Sequence, residues 1–182
     1  ASSDDNFDGV SDQTVTVTTT DNDTAGFTLS STTATVTEAA GGGNTATYTV
    51  VLNAQPDSDV VISVTSADTG EATVSPSSLT FTNGNWNNAQ TVTVTGVDDN
   101  LVDGNINTTI TMAVVDASSD DNFDDVANQT VTATTTDDDT AGFTLSKTTA
   151  TVSEGADTDT YTVVLNAQPD SDVVITVTSA DT

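Results

Sequence analysis

Apolar and polar residues alternate with period two over most of the chain, and no segment repeats its apolar positions at helical spacing. The alternation predicts seven strands: A over 26–37, broken near Ser31; B over 45–53; C over 59–66; D over 72–82, interrupted at Pro76; E over 90–97; F over 107–115; and G over 129–136. Clusters of turn-forming residues separate them, GGGN at 41–44, QPDSD at 55–59, ADTGE at 67–71, NGNWNN at 83–88 and DDNLVDGN at 98–105. Seven short strands spaced this way predict an all-β, immunoglobulin-like seven-stranded β-sandwich. Its expected core is Phe27, Tyr48, Val50, Leu52, Val61, Val64, Leu79, Phe81, Val92, Val94, Ile110 and Met112.

The same pattern recurs along the chain. Residues 1–38 return at 117–154 with 31 of 38 positions matched, and residues 48–69 return at 161–182 with one change, Ser63 to Thr176. The period is 116 residues, or 113 past a shortened hairpin. That length suits a whole small domain better than a solenoid repeat. Acidic joints in TTTDNDTAGFTLS and TTTDDDTAGFTLS place boundaries near Asp23 and Asp139. Modules in tandem follow: 1–23 as the last strand of a preceding module (Thr14–Thr20), 24–139 complete, and 140–182 as strands A to C of a following one. The ends fall inside modules, which suggests a segment of a longer array. The third copy, without strands D to G, is expected to leave Phe143, Tyr161, Val163, Leu165, Val173 and Ile175 without partners, so that an end stays disordered or is covered by another molecule.

Composition narrows the chemistry. The 182 residues include 41 Thr and 24 Val, both strand formers, against 28 acids, one Lys, and no Arg, His or Cys. A net charge of −27 excludes nucleic acid and anionic membrane surfaces as partners. Disulfides, thiolate sites and common zinc sites are excluded by composition, and no apolar run is long enough for a membrane span.

Strand parity gathers the acids. Successive strands of a sandwich reverse direction, so A, C, E and G all finish at one pole. A ends at Glu38, C at Asp68, E at Asp98 and Asp99, and G at Asp137, Asp138 and Asp139, while F begins after Asp103 and D near Glu71. The chain also leaves for the next module here, so this is the distal pole. Carboxylates crowded without Arg or Lys repel one another unless a cation sits among them. Ca²⁺, which takes about six to eight oxygens in tolerant geometry, fits better than Mg²⁺. Asp137 and Asp139, alternate residues of one strand, point the same way, and the adjacent Asp98 and Asp99 can address neighbouring ions. A solvated acidic surface is the simpler alternative.

The segments VTEA, TSADTGEATVSPSSLTF and WNNAQTVTVTGVDDN, closed by TTTDDD, resemble the Calx-β domain. The resemblance covers the whole module and implies an immunoglobulin-like fold with Ca²⁺ sites built from Glu38, Asp68, Asp98, Asp99, Asp103, Asp137 and Asp139. Glu154 and Asp181 are the matching positions of the third copy, and Asp21 and Asp23 those of the first. Similar repeats form extender regions of giant bacterial secreted and surface adhesins, so an extracellular or cell-surface setting is implied.

Other features have ordinary readings beside functional ones. Asp57, Asp59, Asp120, Asp121, Asp124 and Asp125 lie at the proximal pole, as solvated loops or as a second ion site between modules. Trp86 anchors its loop or stacks on a sugar, and the Thr-x-Thr faces are solvent-facing strand or an ice-ordering array. Asn107-Thr108-Thr109 and Asn128-Gln129-Thr130 match the glycosylation triplet. No nucleophile–base pair or phosphate loop is present, so the expectation is no enzyme. The leading expectation is a calcium-stiffened extender repeat whose partners are neighbouring repeats of the same chain. Alternatives are a filament subunit joined to other copies of itself by strand complementation, and a module that binds a glycan or protein ligand.

Overall fold

In the computed structural model, residues 4–39 and 43–180 are described. Gly41 and Gly42 of the GGGN loop lie outside them, as does Asp181. The complete repeat folds as nine strands: β1 (Phe27–Leu29), β2 (Thr33–Thr37), β3 (Thr45–Leu52), β4 (Val60–Ser66), β5 (Ala72–Ser75), β6 (Ser78–Phe81), β7 (Gln90–Gly96), β8 (Ile106–Val114) and β9 (Gln129–Thr136). One sheet has the order β1-β3-β7-β5 and the other β2-β9-β8-β4-β6. These correspond to the A-B-E-D and G-F-C sheets of an immunoglobulin-like sandwich.

The strand count differs from seven because A and D each divide between the sheets. The break near Ser31 lets β1 pair antiparallel with β3 while β2 crosses to pair in parallel with β9. The interruption at Pro76, which has no N–H for a ladder, separates β5 on β7 from β6 on β4. Each divided strand therefore fastens one sheet to the other.

Inward-facing residues of both sheets form one core, centred on Tyr48, Ile62, Phe81, Ile110 and Met112. Val61 is a correction. Side chains alternate across a strand, so Val61 and Val64 cannot share a face, and β4 turns Val60, Ile62 and Val64 inward while Val61 stays half-buried outside. The period-two reading also missed Phe123, which sits in a single helical turn of the β8–β9 connection and is 2% exposed. Asp120, which caps that turn, is itself buried. Its carboxylate accepts from the backbone N–H of Asp57, Ser58 and Asn122 and from the Asn122 side chain. These bonds tie the long connection to the β3–β4 turn and hold the carboxyl below its usual range. Trp86 packs against the core, and its carbonyl accepts from Leu52 N–H, so this residue anchors its loop.

The flanking copies carry less regular structure. No strand forms at Thr14–Thr20, where a G-like strand is expected, and the segment is exposed throughout. Among the described residues of the third copy only β10 (Phe143–Leu145) and β11 (Val163–Leu165) form, and the expected strand C does not. Their ladder repeats the register of β1 and β3, Phe143 opposite Leu165 as Phe27 is opposite Leu52. Ser146 N–H donates to Thr162 O as Ser30 N–H does to Thr49 O. That ladder is encoded locally, whereas the remaining strands need neighbours. Phe143, Tyr161, Val173 and Ile175 accordingly stay exposed.

Candidate metal centre

Glu38 follows β2 directly, and its N–H donates to the Thr136 carbonyl at the end of β9 (3.2 Å), so the parallel pairing sets Glu38 beside the acids that follow β9. The close approach of β7 completes the arrangement. A Cβ on Gly96 would stand 2.4 Å from the Thr37 carbonyl oxygen, so only glycine lets β7 pass the end of β2 and deliver the Asp98–Asp103 loop next to Glu38. Glu71 is brought in by its backbone, whose carbonyl accepts from Val97 N–H (2.9 Å) and from the Thr135 hydroxyl (3.2 Å).

Two triads of carboxylates result. Glu38, Asp137 and Asp139 form one, and Glu71, Asp99 and Asp103 the other; within each, the carboxylate oxygens lie within 4.8 Å of one another. The triads share one electrostatic field. Burial, then Asp99, Asp103, Asp137 and Glu71, pushes the Glu38 carboxyl up to about 7. Burial and the charges of Asp103, Asp68 and Asp99 raise Glu71, and burial followed by Asp138, Asp137, Asp99 and Asp98 raises Asp139.

The donor set fits a hard divalent cation. Glu38 is 2% exposed, yet its Oε2 has no hydrogen-bond partner, and Oε2 of half-buried Glu71 is in the same state. A buried carboxylate oxygen without a donor is costly, and a cation in the triad would satisfy it. The loops are already braced around the acids: Asp99 accepts from Leu101 N–H (2.7 Å), and Asp137 accepts from Gly104 N–H (2.8 Å) and Asp139 N–H (2.7 Å). An ion at each triad would be held by Glu38, Asp137 and Asp139, and by Glu71, Asp99 and Asp103.

Of the residues expected from sequence, Glu38, Asp99, Asp103, Asp137 and Asp139 thus come together. Asp98 and Asp68 lie exposed at the same pole but outside the triads; Asp68 accepts from Gly70 N–H and shapes its turn. Glu71 was absent from the ligand set inferred from the resemblance, although its place at the start of strand D at this pole was the available signal. Asp21 and Asp23 repeat the bond of their counterparts, Asp23 N–H to Asp21, but line a cleft of about 640 Å³ at the proximal pole with Ala25, Gln55, Asp57 and Asp125. Glu154 is exposed in a turn of the third copy.

No protein-family model matches the chain, and no curated protein matches it. Among solved structures, the apo-form Calx CBD1 domain is similar at 15% identity over 64% of this chain and 99% of that one, with a TM-score of 0.46. SSP-19, an MSP-domain protein like family member of Caenorhabditis elegans, is 16% identical over 60% of this chain and 99% of its own, TM-score 0.43. The E. coli chaperone DraB is 12% identical over 60% of this chain, TM-score 0.42, and the match spans about half of it, 53%. These likenesses concern β architecture.

Proposed function

We propose that the chain is a calcium-binding structural repeat of a secreted or cell-surface protein, an extender in which Ca²⁺ at the distal pole stiffens the passage from one module to the next. The observation that carries this reading is that Glu38, which joins Asp137 and Asp139 in a triad, is buried and keeps its Oε2 without a hydrogen-bond partner. Those three acids join the end of β2 to the segment leaving β9, so an ion among them ties the exit strand to the body of the sandwich. The motifs shared with the Calx-β domain support calcium as the ion. No catalytic role is assigned, since the acids stand at a joint with no nucleophile–base pair beside them. Among the described residues no helix is long and apolar enough to cross a membrane.

Thermal unfolding of the full chain with chelator and with millimolar Ca²⁺, at fixed ionic strength, tests the proposal. An ion that binds only the native state raises the midpoint by mass action. Coincident curves would refute the site.

A further inference from the structure

Two segments outside the complete module carry the sequence of strands that pair inside it. Residues 4–20 correspond to 120–136, the end of the β8–β9 connection and β9, and residues 149–154 correspond to β2 and Glu38. In the complete module β9 lies parallel to β2, from Thr132 opposite Thr33 to Thr136 opposite Thr37. Ahead of that ladder the Asp120 carboxylate holds the N–H groups of Asp57 and Ser58, and Phe123 is buried. The outer segments have no such pairing: Thr14–Thr20 and 149–154 are exposed throughout and form no strand.

Both halves already hold the shape of the paired state. Asp4 caps a single helical turn at Asp5–Phe7, accepting from the Asn6 backbone and side chain as Asp120 accepts from Asn122, yet Phe7 is 67% exposed. Asp23 N–H donates to Asp21 as Asp139 N–H does to Asp137. On the other side, Asp170 and Ser171 are the counterparts of Asp57 and Ser58. Beside them Ala141, Ala167, Gln168 and Asp170 line an open hollow of about 230 Å³ with Phe143. Their counterparts Ala25, Ala54, Gln55 and Asp57 line one cleft with Phe123. The two halves lie at opposite poles of one molecule. Asp21 and Asp23 are at the proximal cleft, whereas the third copy is bonded to the distal β7–β8 loop, Gln168 N–H donating to the Asn100 carbonyl at 2.7 Å.

We propose that residues 4–23 of one chain dock on the third copy of a second copy of this chain, head to tail. Thr16–Thr20 lies parallel to Thr149–Ser153, Phe7 fills the hollow, and Asp4 takes the N–H groups of Asp170 and Ser171. Glu154 N–H then meets the Thr20 carbonyl as Glu38 N–H meets that of Thr136. This stands Glu154 of one chain with Asp21 and Asp23 of the other, a calcium site shared between two molecules. The shared ion rests on the reading of Glu38, Asp137 and Asp139 as a calcium triad, in which the buried Glu38 Oε2 lacks a partner. Two chains of net charge −27 repel one another, so an ion at the joint also favours their approach.

Every position altered in the test is exposed in the single chain, so the module's core is spared, and the chain has no cysteine of its own. Thr18 and Thr151 are the counterparts of Thr134 and Thr35, which stand opposite each other in the ladder. In the full chain at millimolar protein, in chelator and moderate salt, Thr18→Cys with Thr151→Cys should form disulfides joining positions 18 and 151 of different molecules on mild oxidation. Mass mapping should find them several-fold more abundant than those joining positions 18 and 80 in Thr18→Cys with Thr80→Cys. A yield no higher than that control would overturn the joint, whatever becomes of the calcium reading. In sedimentation at fixed ionic strength, the parent should form larger assemblies in millimolar Ca²⁺ than in chelator, and Phe7→Ser or Val152→Asp should abolish them. Glu154→Gln should remove this calcium dependence while leaving the Ca²⁺-induced rise of the module's melting temperature unchanged. Assembly indifferent to Ca²⁺ in a parent whose melting temperature does rise would overturn the shared ion.

Discussion

Replacing Glu38 by Gln keeps the side chain's shape and removes its charge, and the sign of the effect depends on whether an ion is bound. Burial and neighbouring acids push the Glu38 carboxyl from 4.5 up to about 7. A carboxyl whose folded-state value is raised binds its proton more tightly in the native state. Its contribution to stability is present at low pH and is lost as pH rises from about 4.5 through 7. Above pH 7 the metal-free protein therefore carries the full cost of an ionised Glu38. That rise corresponds to roughly 3 kcal/mol. The amide of Glu38→Gln escapes that cost but leaves a buried polar group unsatisfied, at about 1–3 kcal/mol. The expected net effect in chelator at pH 8 lies between no change and a gain of about 2 kcal/mol, an upward shift of up to roughly 8 °C for a domain of this size. With millimolar Ca²⁺ the order reverses, because the variant has lost an anionic ligand and gains less from the ion. Scanning calorimetry of both proteins in both conditions reads the inversion. A variant less stable than the parent by the same amount with and without Ca²⁺ would refute the reasoning and make Glu38 an ordinary structural residue.

Gly96→Ala should lower stability by about 1–3 kcal/mol in denaturant titration, since its Cβ would collide with the Thr37 carbonyl and part β7 from β2; an unchanged midpoint would remove Gly96 from the site's construction. Asp99→Asn or Asp137→Asn should weaken Ca²⁺ binding at least tenfold, while exposed Asp57→Asn leaves it within about twofold, as calorimetric titration of the three variants would measure. Asp120→Ala should destabilise the module equally with and without Ca²⁺, by about 2–4 kcal/mol, because it strips acceptors from three backbone donors far from the triads. The lowered pKa of Asp120 means that its contribution is present above about pH 4 and fades as pH falls further, so acid unfolding should begin at higher pH wherever this network is weakened.

The strands were legible because alternation marks a half-buried sheet directly, and even the breaks at Ser31 and Pro76 are visible in sequence. What those breaks do was not legible. That β2 crosses to pair in parallel with β9 is a tertiary choice, and it is this pairing that seats Glu38 beside Asp137 and Asp139. Parity of strand direction sufficed to bring the acids to one pole, since it depends only on counting reversals. It could not separate Asp99, which joins a triad, from its neighbour Asp98, which faces solvent. Nor does it reveal burial, so Glu71, though placed at this pole, was left out of the ligand set, and Asp120 was read as a solvated loop acid or part of a second ion site. Phe123 was missed for a related reason: a lone aromatic in an acidic loop has no periodicity to place it in the core. The third copy shows the limit from the other side. The β10–β11 ladder needs only its own two segments and forms, while strand C, nearly identical in sequence to β4, forms no strand without the partners that flank β4.

Direct calorimetric titration of the full chain with Ca²⁺ at fixed ionic strength tests the central claim most plainly. Two carboxylate triads, each with an unpartnered buried oxygen, call for saturable binding of two ions at the distal pole, abolished at one site by Glu38→Gln and at the other by Glu71→Gln. A titration showing only weak, non-saturating heats that vanish at physiological ionic strength, unchanged in both variants, would contradict it and leave a screened acidic surface in its place.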